Sequence, residues 1–247
     1  MLLALLTDIH ANREAFDACR AEALRLGAQR FVYLGDFVGY GADPSYIVDR
    51  IAEDVAAGAL AIMGNHDLAA VTGDISAMHE VAGLSAVWTR TQLDERQVGF
   101  LQKLPYTAKI DDLLFVHGDS SAPERFIYVR DEAHAERALR AVKAHVVFCG
   151  HVHRPQLYHL APERPAHGFH PKTNVKIPLA RSQQWLAVLG AVGQPRDDNP
   201  LAAFALYDTA RESLTFVRTP YDIAAAAYKI EQAGLPEILA QRLFVGL

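Results

Sequence analysis

Cysteine is nearly absent: the 247 residues include only Cys19 and Cys149, and neither belongs to a CxxC pair. A zinc ribbon or a disulfide framework therefore has no basis. Cys149 ends the apolar run of Val146, Val147 and Phe148 and reads as a small buried hydrophobe. Positive charge is also in deficit, with 24 Lys and Arg against 29 Asp and Glu and a formal net charge of -5. That balance argues against nucleic acid or a membrane surface as a partner, although bound metal ions would create a local positive field outside this count. Long hydrophobic runs are missing too. The apolar start at residues 1–6 lacks a basic leader, stops at Thr7-Asp8 and is too short for a signal peptide or a membrane span. The expectation is a cytoplasmic protein. Hydrophobic residues at 51% and charged residues at 21% are enough for a sizeable core.

Through the first half, short apolar runs alternate with amphipathic ones. Residues 2–6 read as a strand, and 12–26 as a helix with Ala15, Phe16, Cys19, Ala23 and Leu26 at helical spacing. Gly27 stops that helix. Residues 30–34 and 60–63 read as strands on either side of a helix over 44–56 that opens with proline. This β-α-β-α-β rhythm implies parallel strands covered by helices. Helical patterns follow at about 78–90 and 94–103. The strands 107–110 and 113–116, split by Asp111-Asp112, read as a hairpin. A helix over 131–142 leads into a strand at 145–148. Late strands at 156–160, 185–189, 202–207 and 213–217, joined by short turns, favour two sheets with helices outside over one open sheet. Residues 162–180, rich in proline, read as an irregular surface loop (about 161–182 with its flanks), and 223–230 and 236–243 as two short helices. No repeat or interdomain linker is visible, so residues 1–247 are expected to form one domain.

The polar residues fall at telling places. Asp8 and His10 follow the first strand, Gly35-Asp36 the second, and Gly64-Asn65-His66-Asp67 the third. His117-Gly118 and Gly150-His151-Val152-His153 follow two later strands. Taken singly, each has an ordinary reading: Asp8 as a helix cap, Gly-Asp or Gly-Asn as turn chemistry, a lone histidine as a satisfied side chain. Five strands ending alike point instead to one site at the carboxyl ends of the strands. Asp8/His10 and His151/His153 are i, i+2 pairs, which in extended backbone face the same way. Imidazole with carboxylate suits Zn, Mn and Fe. Seven such ligands exceed what one ion needs, so two ions sharing Asp36 are the economical arrangement.

Together these motifs resemble the signature of the calcineurin-like metallophosphoesterase superfamily. Gly35-Asp36-Phe37-Val38-Gly39-Tyr40-Gly41 and Val192-Gly193-Gln194-Pro195-Arg196-Asp197 resemble its small prokaryotic branch. The resemblance implies an α/β (α+β) fold: a four-layer β-sandwich of two mixed sheets flanked by α-helices. It implies one metal on Asp8, His10 and His153, a second on Asn65, His117 and His151, and Asp36 bridging. The two divalent ions would be drawn from Mn, Fe, Zn, Ni or Co. It further implies that His66 protonates or stabilises the leaving oxygen, and that Asp67 orients the His66 imidazole. The expected reaction is hydrolysis of phosphate mono- or diesters in a small phosphorylated substrate, by attack of a metal-bridging hydroxide.

Rival readings are a catalytically weak, metal-bound interaction scaffold of the same fold, a metal store, and a cyclic nucleotide phosphodiesterase. The retained His66 speaks against the first two. Gly39-Tyr40-Gly41 stands where the phosphoprotein phosphatase and diadenosine tetraphosphatase branches carry Asp-Arg-Gly, which disfavours those branches. Arg196 reads as an anchor on Asp197 or Asp198, with substrate phosphate as the alternative. His167, His170, Lys172 and Lys176 read as surface, and Trp88 and Trp185 as packing.

Overall fold

Successive residues of the first strand are buried on opposite sides. Leu3 and Leu5 pack with Val32, Phe115 and Phe148, whereas Ala4 and Leu6 pack with Phe16, Cys19 and Tyr33. A strand buried on both faces belongs to an inner layer. The computed structural model, which describes all 247 residues, places it there. In chain order the elements are β1 (Leu2–Leu6), α1 (Arg13–Arg25), β2 (Arg30–Tyr33), α2 (Pro44–Ala56), β3 (Leu60–Ala61), α3 (Asn65–Thr72), α4 (Glu80–Gln92) and α5 (Glu95–Gln102). They continue with β4 (Thr107–Ile110), β5 (Leu113–Val116), α6 (Glu132–Arg140), β6 (Val146–Cys149), β7 (Gln156–Leu160), β8 (His167–Phe169), β9 (Lys176–Pro178) and β10 (Gln184–Val188). The chain ends with β11 (Ala202–Asp208), β12 (Ser213–Thr219), α7 (Ile223–Gln232) and α8 (Glu237–Val245).

Two six-stranded sheets result, in the orders β3-β2-β1-β11-β12-β9 and β4-β5-β6-β10-β7-β8. Both are mixed. β1, β2 and β3 run parallel, as do β5, β6 and β10, and the remaining pairings are antiparallel. The inner faces meet in one apolar layer that includes Leu5, Val32, Phe115, Phe148 and Tyr207. Outside the first sheet, α1 and α2 contribute Phe16, Cys19, Ile47 and Ile51. Outside the second, α6 contributes Ala135, Ala138 and Leu139. This is the four-layer sandwich. Truncating a fully buried leucine such as Leu5 to alanine would cost about 2–5 kcal/mol.

Helix ends follow local chemistry. Asn12 caps α1, its Oδ1 accepting from the Ala15 N–H at 3.1 Å, and Asp94 and Gln97 form a capping box on α5. The third strand stops at Ala61, short of Met63, whose N–H donates to Pro105 O at 2.8 Å outside the ladder. The stretch 162–180 is not irregular throughout. β8 extends the second sheet beside β7, and β9 extends the first beside β12. One run of chain thus crosses from an edge of one sheet to an edge of the other. No helix is long and apolar enough to cross a membrane.

Candidate metal centre

The parallel strands β1, β2 and β3 end beside the parallel strands β5 and β6, and the polar motifs sit on those ends. The polypeptide there is not extended. Asp8, His10, Asp36, His151 and His153 all have positive φ, between 49° and 68°. Their side chains converge because the chain curls in the left-handed region, and the i, i+2 geometry of an extended strand does not apply. Such torsions cost free energy in non-glycine residues and persist where the surroundings impose them. Backbone bonds between loops do so here: His10 N–H donates to Asp36 O at 2.9 Å, Ala11 N–H to Phe37 O at 2.8 Å, and Gly150 N–H to His117 O at 2.9 Å.

Two groups of potential ligands form. Asp8, His10 and His153 offer donor atoms within 4.8 Å of one another, and so do Asp36, His117 and His151. Asp36 lies between them, its Oδ2 3.3 Å from His117 Nε2 and 3.8 Å from His10 Nε2. It also joins His10 and His66 in a third group. Asn65, at the start of α3, lines the hollow beside His151. Its Oδ1 is buried without a hydrogen-bond partner.

These residues fit cations for a specific reason. Nδ1 of His10, His117 and His153 lies 3.1, 2.7 and 2.6 Å from the carbonyl oxygens of Val38, Leu34 and Gln194. A carbonyl only accepts, so each Nδ1 carries a proton and each Nε2, in the neutral ring, turns a lone pair inward. His10 Nε2 and His153 Nε2 face each other at 3.2 Å, as do His117 Nε2 and His151 Nδ1. Lone pairs held this close, as those of His10 and His153 in the neutral rings, repel unless a positive charge sits between them, and at the second pair a proton on His117 or a metal ion can supply it. An orphaned amide oxygen and two carboxylates complete a donor set suited to divalent ions.

The electrostatics agree. Burial pushes the Asp8 carboxyl up, but His153, by charge and hydrogen bond, and His117 hold it well below the usual carboxylate range. Burial likewise opposes ionisation of Asp36, and His117 and His66 overcome it. Burial holds His10 well below its ordinary value and takes His151 down to about 3. His117 goes the other way: burial lowers it, yet Asp36 and Asp8 carry it up to about 9. Anionic carboxylates and mostly neutral imidazoles are the protonation states that metal ions require.

His66 sits beside this centre, buried, its ring 4.9 Å from that of His10 and 4.5 Å from that of Tyr40. Its N–H donates to Asp36 Oδ1 at 2.8 Å. Burial lowers its pKa to about 4. Asp67 does not orient this ring, contrary to what the resemblance implies. Asp67 Oδ1 accepts from the N–H groups of Phe37 and Val38 at 2.8 and 3.2 Å, and Oδ2 from the Gly64 N–H at 3.0 Å. His66 and Asp67 are consecutive on α3, and neighbours i, i+1 on a helix do not face each other. His66 Nδ1 is left without a partner. Gly39 makes room for it, because a Cβ on Gly39 would run into His66 Nδ1.

Sequence reasoning missed Tyr128, whose ring stacks on His151 with centroids 3.8 Å apart and planes at 16°. It also missed the part Tyr40 plays between His10 and His66. Tyr128 lies in an unremarkable stretch with no motif, so nothing in the sequence flagged it. Arg196 is not an anchor on Asp197, which pairs with Arg218. Its guanidinium instead donates to Gln194 Oε1 at 2.8 and 3.2 Å and lies 5.5 Å from the Tyr40 ring centroid. Of the two tryptophans, Trp185 is buried and donates from Nε1 to Ala180 O at 3.1 Å, and Trp88 packs against the α7–α8 cluster.

Comparison with known proteins returns the same assignment. An uncharacterized protein of Methanocaldococcus jannaschii is 29% identical over 250 residues, which span 99% of this chain and 98% of that protein. A metallophosphoesterase from Sphaerobacter thermophilus, solved as a crystal structure, is 30% identical and superposes with a TM-score of 0.88 over 100% of both chains. A hypothetical protein from Pyrococcus horikoshii, 19% identical, shares the fold with a TM-score of 0.78 over 100% of this chain and 98% of that one. Residues 1–212 match the family described as the calcineurin-like phosphoesterase superfamily domain. The stretch matched runs from β1 to the turn before β12 and so takes in every strand end described above, and on that ground the chain belongs to the calcineurin-like phosphoesterase superfamily.

Proposed function

We propose that the protein is a dinuclear metal-dependent phosphoesterase that hydrolyses phosphate mono- or diesters. One ion would rest on Asp8, His10 and His153 and the other on Asn65, His117 and His151, with Asp36 shared. The observation that carries this reading is the inward-facing Nε2 atoms of His10, His117 and His153, oriented by carbonyls that take each Nδ1–H. When bound, two such ions lower the pKa of a water and clamp the phosphoryl oxygens. The chain's own residues supply the rest. Asp36 holds the His66 backbone N–H and so fixes the imidazole beside the centre. Tyr40 and Gly39 confine that ring. Because burial keeps His66 neutral, a phosphate anion arriving nearby would raise its proton affinity and make it the donor to the departing oxygen.

The test is hydrolysis of bis-p-nitrophenyl phosphate and p-nitrophenyl phosphate with Mn²⁺, beside a chelated control and Asp36→Ala. Chelator-sensitive turnover that vanishes in the variant together with its bound metal supports the reading, and the ratio of the two substrates ranks diester against monoester. Wild-type turnover that survives both chelation and Asp36→Ala would overturn it.

A further inference from the structure

His151 and His153 turn into the centre, and the residues that alternate with them, Val152 and Arg154, turn away from it into a cleft of about 440 Å³. Arg130, His170, Arg196 and Tyr128 complete its principal lining, and no carboxylate lines it. This is unusual in a chain of net charge -5. Most arginines elsewhere find acids, as in Arg20 with Asp54, Arg137 with Asp119 and Arg218 with Asp197, and Arg30 and Arg90 bond backbone carbonyls instead. Arg130, Arg154 and Arg196 pair with none.

The cleft is tied to the centre at two points. Arg196 N–H donates to His153 O at 3.1 Å, and its guanidinium borders the Tyr40 ring that touches His10 and His66. Tyr128 stacks on His151 and carries the Arg130 guanidinium 4.1 Å from its ring centroid. Two groups so near one centroid occupy opposite faces, so Tyr128 is the wall between the centre and the cleft. Three convergent guanidiniums without counter-charges suit a dianion with several acceptor oxygens, a phosphate above all.

We propose that this cleft binds a second phosphate of the substrate, so that the preferred substrates are phosphate esters carrying a further phosphate across a sugar-sized spacer. The proposal rests on the phosphoesterase reading for the first phosphate. A spacer is required because Tyr128 separates the two positions.

The experiment uses the Mn-loaded protein and two pairs of probes. Calorimetry compares thymidine 5′-phosphate with thymidine 3′,5′-bisphosphate. Hydrolysis compares thymidine 5′-(p-nitrophenyl phosphate) with its 3′-phosphorylated form, which has the same leaving group. The bisphosphate should bind at least about tenfold tighter, and the 3′-phosphorylated ester should show a similar gain in kcat/KM. Arg130→Gln/Arg154→Gln, both at exposed positions where folding is safe, should bring both ratios down towards one. Arg196→Gln should do the same, whereas Arg164→Gln, on the exposed segment after β7, should keep the wild-type ratios. Equal binding of the two phosphates by wild type, or a preference that persists in the double variant, overturns the proposal. A binding preference without hydrolysis leaves the cleft as an anion site and removes the phosphoesterase reading. Hydrolysis without preference does the reverse.

Discussion

The two ends of the sheets place glycine under different demands. At the end away from the centre, Gly27 and Gly58 follow α1 and α2 at φ of +91° and +104°, and a Cβ at either would meet nothing within 4 Å. Those positions need only the left-handed torsion. At the centre, Gly150 has no such torsion. A Cβ there would land on the Thr7 hydroxyl and Asp8 Oδ2. The left-handed torsions at that end fall on Gly35 and Gly39, at +88° and +83°, and also on Asp8, His10, Asp36, His151 and His153. The lesson is that the chain near the centre is over-determined: side chains that must point inward accept strained backbone, and its glycines sit where a Cβ would find no room.

The largest break in that contrast should come from Gly150→Ala. Driving a methyl between Thr7 and Asp8 would displace a proposed ligand, so bound metal and turnover should fall together by more than about 100-fold, measured by metal analysis beside hydrolysis. A loaded and active variant would erase the distinction between the two ends. Next comes the pair on α3. His66→Ala should keep its metal and lose about 10²–10⁴-fold in turnover. Unchanged turnover on substrates with poor leaving groups would remove His66 from the mechanism. Asp67→Ala should act on stability first, because three buried backbone N–H groups lose their acceptor at about 1–3 kcal/mol each, read by urea unfolding. The smallest effect belongs to Gly27→Asn at the far end. Asparagine tolerates the left-handed region, so stability should move by less than about 1 kcal/mol and turnover should not change. A large loss there would mean that turn has a role its open surroundings do not suggest.

Much of this was legible beforehand. Apolar runs that stop abruptly at Asp8, Asp36, His117 and His151 marked both the strands and the end at which they meet. What escaped had local causes. α3 escaped because its apolar residues span only 68–71, too few to establish a period, and its start coincides with the chemical motif. β8 and β9 escaped because prolines signal loop, although proline is tolerated on edge strands, which is where both lie. Asp67 was expected, by resemblance, to orient His66, whereas the helix turns the two apart and backbone N–H groups claim the carboxylate. Tyr128 reaches His151 only through tertiary packing, and such a contact leaves no spacing to read.

The donors of the centre come from two sources: Asp8, His10, Asp36 and Asn65 follow strands of the first sheet, and His117, His151 and His153 follow strands of the second. An ion held between them would therefore fasten the sandwich at this end, adding to polar contacts that already join the halves, such as His117 Nδ1 to Leu34 O and Arg181 to Asp112 and Glu212. Loading and cohesion would then be one equilibrium, in which free ion concentration sets how firmly the two halves of the molecule are bolted together.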